Sequence, residues 1–248
     1  MDSYRTPAKT LPRFTAWLLV VSAGALPTAA HAEQQTELLP YEVTYTASMN
    51  KGVAIDGTAT RTLSPREDGT WLYRTKVDSF IADIDESLVL RWQNNRVIPI
   101  RYRYRLSGFL IRDRKESINF DWESGKATGE YKNKDFTLDL EDGALDPLGL
   151  QLQLSQDIKR GQKDMTYRVI DGNRYDTDRF AIIDQEPLDT SNGSTPTLKA
   201  EKIREEDSKR ETLMWFAPER DYLLIQLRQV EPDGSTYQLR LTQSEVGG

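Results

Sequence analysis

Apolar and polar residues alternate along most of the chain from residue 41 onwards. In the stretch YEVTYTASM, residues 41–49, every odd-numbered position is apolar or aromatic, and every even-numbered position is polar or charged. This period of two is typical of a β-strand with one buried and one solvated face. Comparable runs predict further strands at residues 53–63, 70–77, 87–92, 97–106, 110–122, 127–131, 136–140, 165–170, 179–183, 198–204, 212–216, 222–230 and 236–242.

Tight-turn sequences separate many of these runs. They are Glu67-Asp68-Gly69, Glu123-Ser124-Gly125, Asp171-Gly172-Asn173 and Pro232-Asp233-Gly234. Short strands joined by such turns predict a mainly β fold, in which a large curled antiparallel sheet forms an open β-barrel or half-barrel. Because no linker divides the pattern, we expect a single domain at residues 39–245, with a short N-terminal segment at 33–38 and a C-terminal tail at 246–248.

One segment, residues 145–161, departs from this pattern and predicts an α-helix packed on the sheet. Asp146 is a good N-cap, Pro147 suits the first helical position, and Gly161 follows a basic last turn. The leucines between residues 148 and 154 also alternate, which is compatible with a strand. The helix is favoured because both ends carry capping signals.

The N-terminal segment, residues 1–32, has the features of a cleavable secretory signal. Three basic residues precede the apolar run FTAWLLVVSAGAL, residues 14–26, and the small-residue site Ala30-His31-Ala32 follows it. The run is shorter than the roughly 20 apolar residues of a membrane-spanning helix. We therefore expect a soluble periplasmic protein without a transmembrane anchor. Since the sequence has no cysteine, a lipoprotein and a disulfide framework are both excluded.

The residue types that remain limit the chemistry of the exported chain. The single histidine, His31, lies in the signal segment, so residues 33–248 contain neither His nor Cys. This composition excludes a Ser-His-Asp triad, a thiol nucleophile and a metal held by His or Cys. We therefore expect no enzyme activity, no catalytic residues, no metal and no cofactor. The net charge of −6 argues against nucleic acid as a partner.

The stretch RYRYRLSGFLIRDRK, residues 101–115, is strongly basic within an acidic protein. Strand alternation places Tyr102 and Tyr104 on one face and the intervening arginines on the other. The arginines are therefore predicted to form a solvated stripe that faces carboxylates of a neighbouring strand. In the next predicted strand, residues 110–122, Arg112 and Arg114 occupy positions of the face that is otherwise mainly apolar.

Two interpretations of Arg112 and Arg114 stay open at this level. A β-bulge between residues 113 and 116 would turn them to the outside, or both would point into the concave side of the sheet at the mouth of a cavity. In the second case their guanidinium groups suit the phosphate or carboxylate of an anionic ligand. The hypothetical ligand site comprises Arg112, Arg114, Tyr102, Tyr104, Phe120 and Trp122.

A set of weak motifs occurs in a fixed order along the chain. It consists of a Tyr-rich first strand in LPYEVTYTASMNKGVAIDGTAT, a Phe-x-Trp in RYRYRLSGFLIRDRKESINFDWESGKA, a helix start in LDPLGLQLQL and a Trp strand in KAEKIREEDSKRETLMWFAPERD. In these motifs the chain resembles the bacterial exported family called domain of unknown function 3108, over roughly residues 39–245. The resemblance implies a periplasmic, mostly β protein with no established activity. One departure is the strand YLLIQLRQ, residues 222–229, which lacks a proline that members often carry.

These features predict a non-enzymatic periplasmic protein that binds a lipid or another apolar or amphipathic envelope molecule in the concavity of its sheet. One alternative is a structural or assembly partner of an envelope protein. A second alternative is a carboxylate-dependent glycan hydrolase, since Asp121 and Glu123 lie two residues apart and such enzymes use two converging carboxylates.

Overall fold

The computed structural model describes residues 36–51, 54–109, 112–190 and 193–246. These ranges belong to one compact unit. The predicted signal at residues 1–32, the first part of the segment 33–38, the strand positions 53, 110 and 111, and the tail residues 247–248 lie outside the described residues. No helix in the described ranges is long and apolar enough to cross a membrane.

Alternating sequence produces fourteen strands within these ranges, together with one α-helix and a 3-10 turn at Pro218–Arg220. The helix is α1 (Pro147–Lys159), which lies between the eighth and ninth strands. The strands are β1 (Tyr41–Asn50), β2 (Ala54–Pro65), β3 (Trp71–Ser79), β4 (Ala82–Gln93), β5 (Arg96–Gly108), β6 (Arg114–Asp121), β7 (Lys126–Tyr131), β8 (Lys134–Asp139), β9 (Asp164–Asp171), β10 (Arg174–Thr190), β11 (Gly193–Ile203), β12 (Glu211–Ala217), β13 (Leu223–Val230) and β14 (Thr236–Val246).

All fourteen strands form one antiparallel sheet in the order β8-β7-β6-β5-β4-β3-β2-β1-β14-β13-β12-β11-β10-β9. The sheet consists of two meanders, β1 to β8 and β9 to β14, which join where β1 pairs with β14. Its two edges are β8 and β9, and α1 connects them. The chain thus follows the sheet outwards from its middle, crosses by the helix, and returns to the middle.

Side chains and backbone groups link the two edge regions and curl the sheet into an open barrel. The Tyr175 hydroxyl in β10 donates to the Asp139 carbonyl oxygen at 3.1 Å and accepts the Glu141 N–H at 3.0 Å. Arg168 in β9 donates to both carboxylate oxygens of Glu141, at 2.7 and 2.8 Å. These contacts replace a backbone ladder between β8 and β9.

Helix α1 begins and ends where its capping signals predict. The Asp146 carboxylate accepts the N–H groups of Leu148 and Gly149 at 3.0 and 2.9 Å, and Gly161 follows the helix with a φ of 83°. Burial raises the pKa of Asp146 to about 7. The buried apolar residues of the helix are Leu148, Leu150, Leu152, Leu154 and Ile158. Both sides of the helix are therefore covered, because it lies inside the curl of the sheet.

Cross-strand pairing arranges the side chains of the inner face, which is the face that contacts α1, in rows. The apolar floor row lies beside the helix, and Leu88 comes within 3.2 Å of the position a Cβ would take on Gly149. This row consists of Leu63, Tyr73, Leu88, Tyr102 and Ile118, from β2 to β6. The apolar rim row lies four residues further along each strand and consists of Ala59, Val77, Ile84 and Leu106.

The fold class predicted from the sequence is confirmed, because the structure is mainly β with a single open antiparallel sheet and one packed helix. Several strand boundaries differ from the predictions. β4 begins at Ala82 instead of residue 87, and the β10–β11 hairpin extends to Thr190 and Gly193 beyond the predicted strand ends at 183 and 198. In β4, Glu86 at an inner position interrupts the apolar phase, and in the hairpin polar residues occupy both faces although the pairing continues.

Gly129 in β7 allows the close approach of β6 and β7. A Cβ at this position would lie 1.9 Å from the backbone oxygen of Ser117 and 2.8 Å from the ring of Phe136. We expect Gly129→Ala to lower the free energy of unfolding by about 2–3 kcal/mol, because the backbone must move. Thr128→Ala, at the exposed neighbouring position, should cost less than about 1 kcal/mol. Equal losses in urea unfolding of the two variants would contradict this account of the strand packing.

Candidate functional site

A row of polar side chains lies between the two apolar rows of the inner face. On each strand, the polar-row residue lies two residues from the floor-row residue and also points inward. Neighbouring members pair directly across the strands. The polar row consists of Arg61, Thr75, Glu86, Tyr104 and Glu116, from β2 to β6. A charged row between apolar rows is costly unless its groups find partners, so each member requires an explanation.

Arg61 is the most deeply buried charge of this row, with a relative exposure of 4%. Its Nε donates to Thr75 Oγ1 and its Nη2 donates to Gln151 Oε1 on α1, both at 3.0 Å. The guanidinium carbon lies 5.5 Å from the ring centre of Tyr73 and 5.9 Å from that of Tyr45. No ion pair joins Arg61 to a carboxylate in the described part of the chain. Hydrogen bonds to described residues therefore use two of the five N–H groups of a cation that stays charged.

Glu86 is the carboxylate of the polar row that lies nearest to Arg61 across the sheet. Arg61 in β2 pairs with Thr75 in β3, which pairs with Glu86 in β4. Its Oε1 accepts a hydrogen bond of 2.7 Å from the Tyr102 hydroxyl in the floor row. Burial raises the pKa of Glu86, while the Tyr102 hydrogen bond and the charge of Arg61 act in the opposite direction. Burial also raises the pKa of Glu116 at the next carboxylate position of the row. The inner face therefore holds a permanent cation beside acids that are more easily protonated than usual.

A cavity of about 340 Å³ extends from the polar row towards the ends of the strands. Arg61, Thr75, Glu86, Tyr104 and Gln151 lie at its inner end. Its apolar wall includes Ala47, Met49, Ile55, Val77, Ile81, Ile84, Leu227 and Leu239. The arrangement is that of an apolar chamber with one buried cation at its base.

The helix bounds one end of the cavity. Gln151 on α1 contacts Arg61, so the helix reaches the inner face as far as the polar row. Beyond that row, Val77 and Ile84 of the rim row line the cavity, whereas Ala59 is buried in a second core cluster. We use "cavity mouth" for the end of the sheet at which β1 finishes and β2 begins, together with the β3–β4 and β13–β14 turns, where exposed Asp56 and Tyr237 line the opening.

The structure places the four aromatic residues of the sequence-predicted site on the inner face or beside it. Tyr102 is buried in the floor row, and Tyr104 lines the cavity. Phe120 is buried and stacks on Trp122, with ring centres 6.3 Å apart, and the Trp122 indole donates to the Pro99 carbonyl oxygen. Phe120 and Trp122 belong to the core cluster and are not among the cavity-lining residues.

Arg112 and Arg114 are both exposed; Arg114 is the first residue of β6, and Arg112 lies two residues before it. The pairing of β5 with β6 continues without a register shift from Arg114 to Asn119, so no bulge occurs in this ladder. Arg114 pairs with Leu106 of the rim row and therefore belongs to the inner phase of its strand. Neither arginine lines the cavity of Arg61. Their role as ligand-binding residues stays a prediction.

The arginines of the RYRYR stretch lie on the outer face, where Arg101, Arg103 and Arg105 are exposed. Arg103 donates to the Asn119 side chain at 3.2 Å and to the Tyr102 carbonyl oxygen at 3.0 Å. Arg105 pairs in register with Asp85, but the carboxylate of Asp85 forms its ion pair with Arg74. The outer groove at this place is solvated, so its charges lack the desolvation that distinguishes Arg61.

The candidate acidic pair does not converge. Asp121 Oδ1 accepts the backbone N–H groups of Glu123 and Ser124, both at 3.1 Å, which is the arrangement of a turn. These hydrogen bonds lower the pKa of Asp121. Asp121 and Glu123 are exposed at the β6–β7 turn, at the opposite end of the strands from the cavity mouth. In the described part of the chain, no group of three or more His, Cys, Asp or Glu residues could hold a metal ion.

The residues that the sequence analysis did not select are Arg61 and Glu86. Arg61 lies in the inward phase of a predicted strand, two residues after Ala59 and two before Leu63, so a charge in an apolar phase was the available signal. Glu86 lies one residue before the predicted strand 87–92 and therefore had no assigned face. The register between strands aligns Arg61 and Glu86 in one row, and this register is not visible in the local sequence pattern.

Comparison with known proteins gives a family and a fold. The family described as "Protein of unknown function (DUF3108)" matches residues 40–242. Comparison with the curated proteins gave no match. The crystal structure of a beta-barrel-like protein of the domain of unknown function DUF1849 from Brucella abortus is similar, with a TM-score of 0.57 and 12% sequence identity over 86% of this chain and 99% of that chain. At this identity the similarity concerns the fold alone.

Arg61→Met tests whether the buried cation is needed for folding. The substitution removes two hydrogen bonds and two cation–π contacts, but it also removes the cost of burying a charge. We expect these effects to offset, so that the free energy of unfolding stays within about 1 kcal/mol of the original value. Urea unfolding measures this difference. A loss of about 3–5 kcal/mol, as for a broken buried ion pair, would make Arg61 a structural residue.

Proposed function

We propose that this chain, which belongs to the DUF3108 family of proteins of unknown function, binds an amphipathic molecule with an anionic head group in its inner cavity. The observation that carries the proposal is the buried guanidinium of Arg61 at the base of an apolar chamber. The head group would contact Arg61, and the apolar part would extend along the rim row towards the cavity mouth.

The size and lining of the cavity support a small ligand. Its volume of about 340 Å³ lies within the range of about 300–1,000 Å³ that ligand pockets occupy. Apolar walls with a few polar groups at one end favour a molecule with the same division of polarity. A wholly apolar ligand would leave the Arg61 charge desolvated, whereas a carboxylate or phosphate would receive charge-assisted hydrogen bonds from it.

The charge of the polar row also favours an anion over a cation at Arg61. The guanidinium is permanently charged, while burial raises the pKa of Glu86 and so makes the neutral form of this acid more accessible. Tyr102 holds Glu86 by a 2.7 Å hydrogen bond, which keeps the carboxylate beside the floor row. An anionic head group can therefore approach Arg61 with reduced repulsion.

We propose a binding protein and not an enzyme, with the periplasm as its location. The signal pattern at residues 1–32 supports export, and the absence of His and Cys from residues 33–248 supports a role without thiol-based or His-based catalysis. Amphiphiles with anionic head groups are constituents of the cell envelope, which gives such a protein a ligand class to bind there.

Dodecanoate binding tests the role of Arg61 directly. We expect Arg61→Met to weaken binding by about tenfold or more, because charge-assisted hydrogen bonds contribute about 1.5–3 kcal/mol. Arg103→Met, which removes an exposed arginine on the outer face, is the matched control and should bind as the original protein does. Isothermal titration gives the dissociation constants. Equal affinity of Arg61→Met, or equally tight binding of uncharged dodecanol, would contradict the proposal.

The raised pKa of Glu86 predicts that binding becomes tighter in acid. Because burial raises its pKa, Glu86 is protonated at a higher pH than an ordinary glutamate as the pH falls from neutral, and it then ceases to repel an anion beside Arg61. Dodecyl sulfonate is the probe, because its head group stays charged throughout. Glu86→Gln should bind more tightly at neutral pH and lose most of the pH dependence.

Glu116→Gln serves as the control for this pH experiment, because Glu116 belongs to the polar row but does not line the cavity. This variant should keep the pH dependence of the original protein. Weaker binding in acid, or an unchanged dependence in Glu86→Gln, would show that Glu86 does not control the affinity.

A further inference from the structure

Two phenylalanines project into solvent beside the cavity mouth. Phe80 at the β3–β4 turn is 94% exposed, and Phe109 at the β5–β6 turn is 74% exposed. They are the most exposed large hydrophobic residues in the described part of the chain. Single apolar side chains are normal on a protein surface, whereas exposed apolar groups that lie together mark an interaction site.

The two phenylalanines belong to one surface because their turns are joined. The Phe109 N–H donates to the Ile81 carbonyl oxygen at 3.1 Å, and Ala82 pairs with Gly108 at the ends of β4 and β5. Ile81 and Ala82 also line the cavity. The aromatic surface and the opening of the chamber are therefore adjacent parts of the same end of the sheet.

Basic residues accompany this surface on the β5–β6 side. Residues 105–115 contain four basic side chains and one acidic side chain, although the whole chain has a net charge of −6. Arg112, Arg114 and Lys115 are exposed there. Asp78 and Asp83 flank Phe80, but they occupy the outer phase of the β3–β4 hairpin, opposite to Val77 and Ile84 of the rim row.

We propose that Phe80 and Phe109 insert into the surface of a bilayer that contains anionic lipid, with Arg112, Arg114 and Lys115 beside its head groups. Amphipathic surfaces that combine bulky apolar side chains with Lys or Arg bind at the head-group boundary in this way. The inference goes beyond the ligand site, since docking requires neither Arg61 nor an occupied cavity. It would place the cavity mouth against the source of an amphipathic ligand.

A membrane fits this surface better than a protein partner does. The apolar surface consists of two phenylalanine side chains on adjoining turns, whereas a stable protein interface needs a continuous patch of about 800 Å² on each partner. Aromatic side chains on turns can each enter the head-group region without a complementary pocket. The basic residues beside Phe109 match an anionic lipid surface, which attracts each Lys or Arg.

Vesicle sedimentation of residues 33–248, which contain the whole compact unit, tests the proposal. The probes are vesicles of phosphatidylethanolamine with phosphatidylglycerol, and vesicles of phosphatidylcholine alone. We expect binding to the anionic vesicles that weakens with added salt. Phe80→Ala and Phe109→Ala should each lower the partition coefficient about tenfold. The double variant Arg112→Gln with Arg114→Gln should lower it about tenfold on anionic vesicles only.

Two controls separate this proposal from loss of folding and from the ligand site. Ile183→Ala removes an exposed apolar side chain elsewhere, on β10, and should leave vesicle binding unchanged. Arg61→Met should also bind vesicles as before, even if it no longer binds dodecanoate. Absence of vesicle binding, or equal binding by the phenylalanine variants, would overturn the proposal. Recovery of a stoichiometric protein partner that is lost in Phe80→Ala would overturn it in favour of a protein interface.

Discussion

The inner face of this protein depends on how one arginine is held within a curled sheet. Cross-strand register fixes Arg61 beside Thr75, and Gln151 reaches it from α1, so the guanidinium is oriented by the sheet and by the helix together. Because burial of a charge is costly, this position would be occupied by an apolar residue if packing alone decided its identity. Glu86, two strands away, does not form an ion pair with it.

The helix determines where the open part of the inner face lies. α1 covers the floor row, and it approaches the sheet closely at Gly149, where an added Cβ would lie 3.2 Å from Leu88. Beyond Gln151, Val77 and Ile84 of the rim row line a cavity of about 340 Å³. Packing at one end of the sheet and an opening at the other are thus consequences of the same helix position.

The sequence predicts features that depend on local order along the chain. The capping signals of Asp146 and Gly161 predict the helix, and the period of two predicts the inward side of Tyr104. The cavity could not be located in this way, because it depends on the pairing of β1 with β14, which brings Leu239 close to Ala47. Arg112 and Arg114 were selected for their charge, but the chamber is centred on strands further along the sheet.

The central claim is that the chamber holds an anionic amphiphile with its head group at Arg61. Native mass spectrometry of the protein purified from the cells that produce it, followed by organic extraction and identification of the extract, tests this most directly. The account predicts one bound acidic amphiphile in the original protein and its loss in Arg61→Met. An empty original protein, or a bound molecule that persists unchanged in Arg61→Met, would contradict the account.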